Sequence, residues 1–235
     1  MLAETAATTD KKPRAIIVPH AGYIYSGPVA APAYHTLLQY KDQIKKVVLL
    51  GPSHRVAFNG LALSGMDYFS TPLGDIPIDH SVNQGLLQHS GVNIMEQAHQ
   101  YEHSLEVHLP FLQAVLDDFQ LIPIVVGDTE PELVATVVEE LLDDDLTICV
   151  TSTDLSHFHD YATAQKLDSA TSQSILNMDY KKIGFEDACG RNPLKGVLYW
   201  AKKHGYKVSL LDLRNSGDTS GTRDRVVGYG SYLIS

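Results

Sequence analysis

Four short runs of branched apolar residues, at 15–18, 46–50, 121–126 and 146–151, constrain this chain more than any other feature. Each is long enough for a strand and too short for a helix. They are apolar throughout rather than alternating, so each needs cover on both faces. Segments with helical spacing lie between them. Residues 29–39 gather small and apolar side chains on one face. Residues 105–119 place apolar side chains at 105, 109, 112, 115, 116 and 119, with Pro110 expected to kink the first turns. Residues 131–142 open with Thr129-Glu130-Pro131, a capping candidate followed by an early proline. Further helices are expected at 161–178 and 193–204, and closing strands at 208–213 and 226–234. Strands separated by helices predict an α/β fold with a largely parallel or mixed central sheet flanked by helices. Residues 215–225, rich in Ser, Gly and Asp, read as the one obvious flexible loop.

A chain of 235 residues with 44% hydrophobic and 20% charged residues suits one large domain with a proper core. The expected division is a flexible segment over 1–13 and a single domain over 14–235. No apolar run approaches the ~20 residues needed to cross a bilayer. The polar, Ala/Thr-rich start lacks the apolar centre of a signal peptide, so a cytoplasmic location is expected. The net charge of -10, with no Lys/Arg cluster longer than a pair, argues against nucleic-acid binding. Cys149 lies in an apolar run and reads as a core thiol, which leaves Cys189 free in a reducing compartment.

Three of the eleven histidines share a structural position. The run 15–18 leads into Pro19-His20, the run 46–50 into Gly51-Pro52-Ser53-His54, and the run 146–151 into Ser152-Thr153-Asp154-Leu155-Ser156-His157. Open α/β sheets bind ligands outside the carboxyl ends of their strands. Neighbouring parallel strands would bring the three imidazoles to one rim, where rigid strand ends suit a metal. The alternative is that each is a hydrogen-bonded loop residue. Asp154, three residues before His157, is placed either to orient that histidine as a general base or to cap a helix. In the segment 102–108, His103 and Glu106 can share a helical face, as a structural pair or as support for a metal site. His108 is rotated away and reads as a solvated rim residue. Cys189, just before a helix expected from Pro193, is placed for a lowered thiol pKa.

The stretches PHAGYIYSGPVAAPAY, GPSH, TPLG, EHSLEVHLPFLQ, STDLSH, ACGRNP and VVGYGSY occur in the order seen in the Memo family, which this chain resembles from about Arg14 onward. In bacteria and archaea such proteins look like the B component of the AmmeMemoRadiSam system. The resemblance implies a fold like that of class III extradiol dioxygenases. It also implies AMMECR-type and radical SAM proteins as possible partners. Carried over by motif, it implies metal ligands at His20, His54 and Cys189, with Asp154 and His157 beside them as the acid–base pair. A cysteine then stands where the ring-cleaving enzymes use a carboxylate, which shifts preference toward softer metals. Many relatives carry a further PAVAG-type segment ahead of PHAGY. This chain shows none, and a more open pocket is expected.

These readings lead to a mononuclear redox enzyme of unknown substrate, with iron(II) as the first metal and copper the second. Tyr25, Glu106 and Arg191, with His103, are the expected substrate or supporting contacts. Two alternatives compete. A phosphopeptide- or partner-binding adaptor would use the same cleft, although arginines are few. A zinc hydrolase would use the same ligands.

Overall fold

The computed structural model describes Leu2 and residues 11–235, so the expectation for 1–13 falls largely outside the described residues. Strands β1 (Ala15–Val18), β8 (Thr147–Ser152), β2 (Lys46–Pro52) and β7 (Gln120–Val126) run parallel and side by side at the centre of the sheet. Two strands extend it beyond β1, first β11 (Val226–Ile234) and then β10 (Val208–Asn215), both antiparallel to their neighbours. Beyond β7 come β3 (Leu61–Leu63), antiparallel, and β6 (Val92–Ile94). The sheet is therefore mixed, with a parallel core. The segment between β3 and β6 also carries a small hairpin, β4 (Tyr68–Thr71) and β5 (Gly74–Pro77), and the short helices α2 (Asn83–Leu86) and α3 (Glu96–His99) stand on either side of β6 in the chain.

Successive side chains of a strand point to opposite faces, and β1 shows the consequence. Ala15 and Ile17 join one buried cluster, with Val134, Val137 and Val138 of α5 (Pro131–Leu141) and Leu194, Val197 and Leu198 of α7 (Arg191–Lys203). Ile16 and Val18 join the other, with Ala30, Tyr34 and Leu37 of α1 (Tyr23–Leu37) and Leu109, Leu112 and Val115 of α4 (Leu109–Val115). Complete burial of one Ile or Val contributes roughly 1.5–3 kcal/mol, so the doubly covered strands anchor the fold. No helix among the described residues is long and apolar enough to cross a membrane.

Several elements differ from expectation for identifiable reasons. Residues 105–119 do not form one kinked helix: a 3-10 turn, Glu106–His108, precedes α4, and Pro110 sits in the first turn of α4, where its missing N–H costs nothing. Helix α1 starts six residues before the expected 29, because Pro28 and Pro32 lie inside it and hide its periodicity. Helix α6 (Tyr161–Leu176) stops at Leu176, and α7 starts two residues before Pro193. The expected flexible loop 215–225 begins instead as β-strand and then α8 (Ser216–Thr219), held by a capping box between Asn215 and Asp218.

Candidate metal centre

The adjacency of β1, β8 and β2 brings their carboxyl ends together, and with them His20, Ser152, Asp154 and His54. His20 follows β1 and is almost fully buried. Its backbone N–H donates to Asp154 Oδ1 at 2.8 Å, and its Nδ1 lies 2.6 Å from the Ser152 hydroxyl. His54 follows β2 at the rim. Its Nδ1 lies 2.8 Å from Glu102 Oε1, and its backbone N–H donates to Glu102 Oε2 at 2.5 Å. A carboxylate can only accept, so in the neutral His54 imidazole the proton sits on Nδ1 and Nε2 carries a bare lone pair.

The segment 102–108 supports both histidines. Ser104 donates its N–H to Glu102, gives its hydroxyl to the Pro52 carbonyl and accepts the Ser152 hydroxyl at its own carbonyl. It packs so closely that a Cβ on Gly51 would meet Ser104 Oγ at 2.6 Å and Leu105 Cδ2 at 2.7 Å. Glycine at 51 is therefore a packing requirement. Burial pushes the Glu102 carboxyl up, but hydrogen bonds from the His54 ring, the His54 N–H and the Ser104 N–H outweigh it and bring it down to about 2. Glu102 is thus a fixed anion behind His54, a role the sequence reading missed although it lies beside His103. His108 is also corrected. It is fully buried, because the 3-10 turn rotates it inward, and its Nε2 lies 2.9 Å from Ser152 Oγ.

Cys189 reaches the site from the loop before α7. Its Sγ lies 3.4 Å from His20 Nε2 and accepts the Asp154 N–H at 3.3 Å. Gly190 makes this approach possible, since a Cβ there would collide with the Ser152 carbonyl and with Thr153. The expected lowered thiol pKa is not found: burial, and then the Asp154 carboxylate, push the thiol up to about 12. Burial dominates because Cys189 lies ahead of the helix start with its Sγ packed against Thr153 and Asp154. Burial also raises Asp154 to about 6 against the His20 N–H bond, and holds the His20 imidazole well below its ordinary value, with His54 and His103 adding to the effect. In the metal-free protein burial therefore holds His20 and Cys189 in their neutral forms.

The remaining candidates divide. The ligand nitrogens of His20, His54 and His103 lie within 4.8 Å of one another. The His103 ring stands 4.7 Å from that of His54 and 5.5 Å from that of His20. Asp154 and His157 do not share a helical turn. Asp154 lies in the loop after β8, whereas His157 opens β9 (His157–His159), which pairs with β11. No hydrogen bond joins the two; Asp154 serves the His20 and Ala21 N–H groups instead. Asp168 of α6 clamps this loop by accepting the Ser156 N–H, and it lies directly over Gly228 of the VVGYGSY stretch. Phe158, next to His157, has φ of 62°, a strained backbone for a bulky residue of the kind that clusters at functional sites.

Two clefts meet at the centre. One, about 480 Å³, is lined by Cys189, Arg191, Asn192, Asp128 and Phe58 among others. The other, about 370 Å³, is lined by His20, His103, Glu106, Tyr23 and Val107 among others. Arg191 stacks 4.9 Å over the Phe185 ring and forms no ion pair among the described residues. Glu106 shares the second cleft with His103 but makes no hydrogen bond to it. Tyr25 is partly exposed in the first turn of α1 and lines neither cleft.

The model of a family described as Memo-like protein matches residues 1–233. A MEMO1 family protein of Saccharolobus islandicus is 37% identical over 94% of this chain and 84% of its own length. One of Sulfurisphaera tokodaii is 38% identical over 91% of this chain and 80% of its own length. Among solved structures, an uncharacterized protein of Escherichia coli K12 superposes with a TM-score of 0.64 at 13% identity, covering 95% of this chain and 100% of that one. That last likeness concerns the fold alone.

Proposed function

Because this chain belongs to the Memo family, we propose that it is a mononuclear metal-dependent oxidoreductase acting on a small molecule where the two clefts meet. The observation that carries the reading is the pairing of His20 and His54. Both Nδ1 atoms are tied to the protein, both Nε2 atoms are left bare, and the Cys189 thiol lies against one of them. Two imidazoles and a sulfur donor suit a soft or borderline ion. The bound ion, iron(II) first and copper second, would supply electron transfer and polarise an oxygen-bearing substrate. Cys189 must lose its proton to ligate, so binding releases a proton and strengthens as the pH rises. Asp154, beside the thiol, and His157, half-buried at the start of β9, are the groups that would take and return protons. Arg191, which forms no ion pair among the described residues, lines the polar cleft, and Glu106 lines the other.

The three convergent imidazoles favour a second reading, a zinc hydrolase with His103 as a ligand. One experiment separates the two. Untagged protein is purified anaerobically and its metals measured by plasma mass spectrometry. The cobalt(II)-substituted form is then examined for a sulfur-to-cobalt charge-transfer band. Near-stoichiometric iron or copper, with a band lost in Cys189→Ala, is the expected result. Bound zinc, with no such band and with cobalt lost in His103→Ala, would replace the redox reading by hydrolysis. Failure to take up any metal after reconstitution would end both.

A further inference from the structure

We propose that Ser152, His108 and Tyr34 form a buried positioning chain that sets which nitrogen of His20 carries its proton. The arrangement turns on one hydrogen atom. Ser152 Oγ has three neighbours: the Ser104 carbonyl oxygen at 2.6 Å, His20 Nδ1 at 2.6 Å and His108 Nε2 at 2.9 Å. A carbonyl oxygen can only accept, and at 2.6 Å two oxygens without a hydrogen between them would repel. The Ser152 proton therefore points at Ser104, and its lone pairs are all that remain for the two imidazoles. Both must donate, His20 from Nδ1 and His108 from Nε2. A neutral His108 then has a bare Nδ1, and the Tyr34 hydroxyl lies 2.8 Å away to donate into it.

One backbone carbonyl thus decides four proton positions. Ser152, His108 and Tyr34 are all fully buried, so no water competes for these bonds. The far end is fixed in turn, because the Tyr34 ring stacks on Phe111 at 4.7 Å with 2° between the planes. In the opposite tautomer a bare Nδ1 would face a Ser152 lone pair at 2.6 Å with no hydrogen between them, so that form of His20 is strongly disfavoured. The outcome at the site is a bare Nε2 facing Cys189 and the ring of His103. That this lone pair serves a metal rests on the function proposed above; the tautomer itself does not.

The test therefore begins on metal-free protein. Long-range proton–nitrogen correlation of the imidazoles near neutral pH should show His20 protonated on Nδ1 and His108 on Nε2. Ser152→Ala should leave His20 mixed or protonated on Nε2. Ser152→Thr, which keeps the hydroxyl, should preserve the original form, as should His108→Gln, whose amide can both donate to Ser152 and accept from Tyr34. Zinc(II) affinity, measured by competition with a chelator, should fall about 10- to 100-fold in Ser152→Ala and recover in Ser152→Thr. Wild-type His20 protonated on Nε2, or an unchanged His20 in folded Ser152→Ala, would overturn the proposal. If Ser152→Ala does not fold, the wild-type and Ser152→Thr spectra decide. A wild type that shows the expected tautomers but binds no metal would refute the proposed function and leave the chain intact.

Discussion

The two ends of the same parallel strands treat polar groups in opposite ways. At the amino end, Arg14, just ahead of β1, donates from its two terminal nitrogens to the Asp144 and Leu142 carbonyls and the Asp145 carboxylate, and Lys46, which opens β2, pairs with Asp79 at 2.7 Å. Charge there meets charge within the chain. At the carboxyl end, His20 and His54 are each satisfied on one nitrogen, by Ser152 and by Glu102, and leave the other nitrogen outward. The contrast separates charges engaged within the fold from donors able to ligate. The first kind meets its counter-charge in the chain; the second is held in place on one nitrogen and keeps a lone pair on the other.

The sharpest way to break this contrast is His54→Ala. Metal affinity should fall by more than about 100-fold, while the melting temperature of the metal-free protein moves by no more than about 4 °C, because His54 stands at the rim. A large loss of metal-free stability would mean that His54 is structural. Lys46→Met tests the other end. It strands the buried Asp79 carboxylate, so calorimetry should record a loss of about 1–3 kcal/mol with zinc affinity unchanged. Coupled loss of affinity would show that the two ends are not independent.

A smaller effect sharpens the comparison through pH. Burial raises the Asp154 carboxyl from 3.8 to about 6. Its contribution to folding is therefore complete below 3.8 and is lost as the pH rises through about 6. Asp154→Asn keeps an acceptor for the His20 N–H but cannot ionise. With a chelator present, the difference between wild-type and variant melting temperatures should drift against the wild type from pH 4 to 7. Parallel curves would show that burial does not raise the Asp154 carboxyl.

The regions that the sequence made legible are those where one residue type has one physical explanation. The runs that became β1, β2, β7 and β8 are apolar throughout, and only a doubly covered parallel strand accommodates that. Three of them, β1, β2 and β8, run on into a histidine, and that shared position located the rim. By contrast, β4 and β5 are short and largely solvent-facing, so no hydrophobic period marks them. Glu102 and Ser152 were invisible as supports, because their importance depends on partners about 50 residues away in the chain.

By itself, then, the sequence determined the α/β class, the family and the strand ends where His20, His54 and Asp154 had to lie, since hydrophobic period and local chain chemistry are short-range properties. Only the tertiary structure decided that His108 is buried rather than solvated, that Cys189 carries a raised rather than a lowered pKa, and which imidazole nitrogen faces the site. Those outcomes depend on desolvation and on hydrogen-bond partners brought together from distant segments, and a linear pattern carries neither.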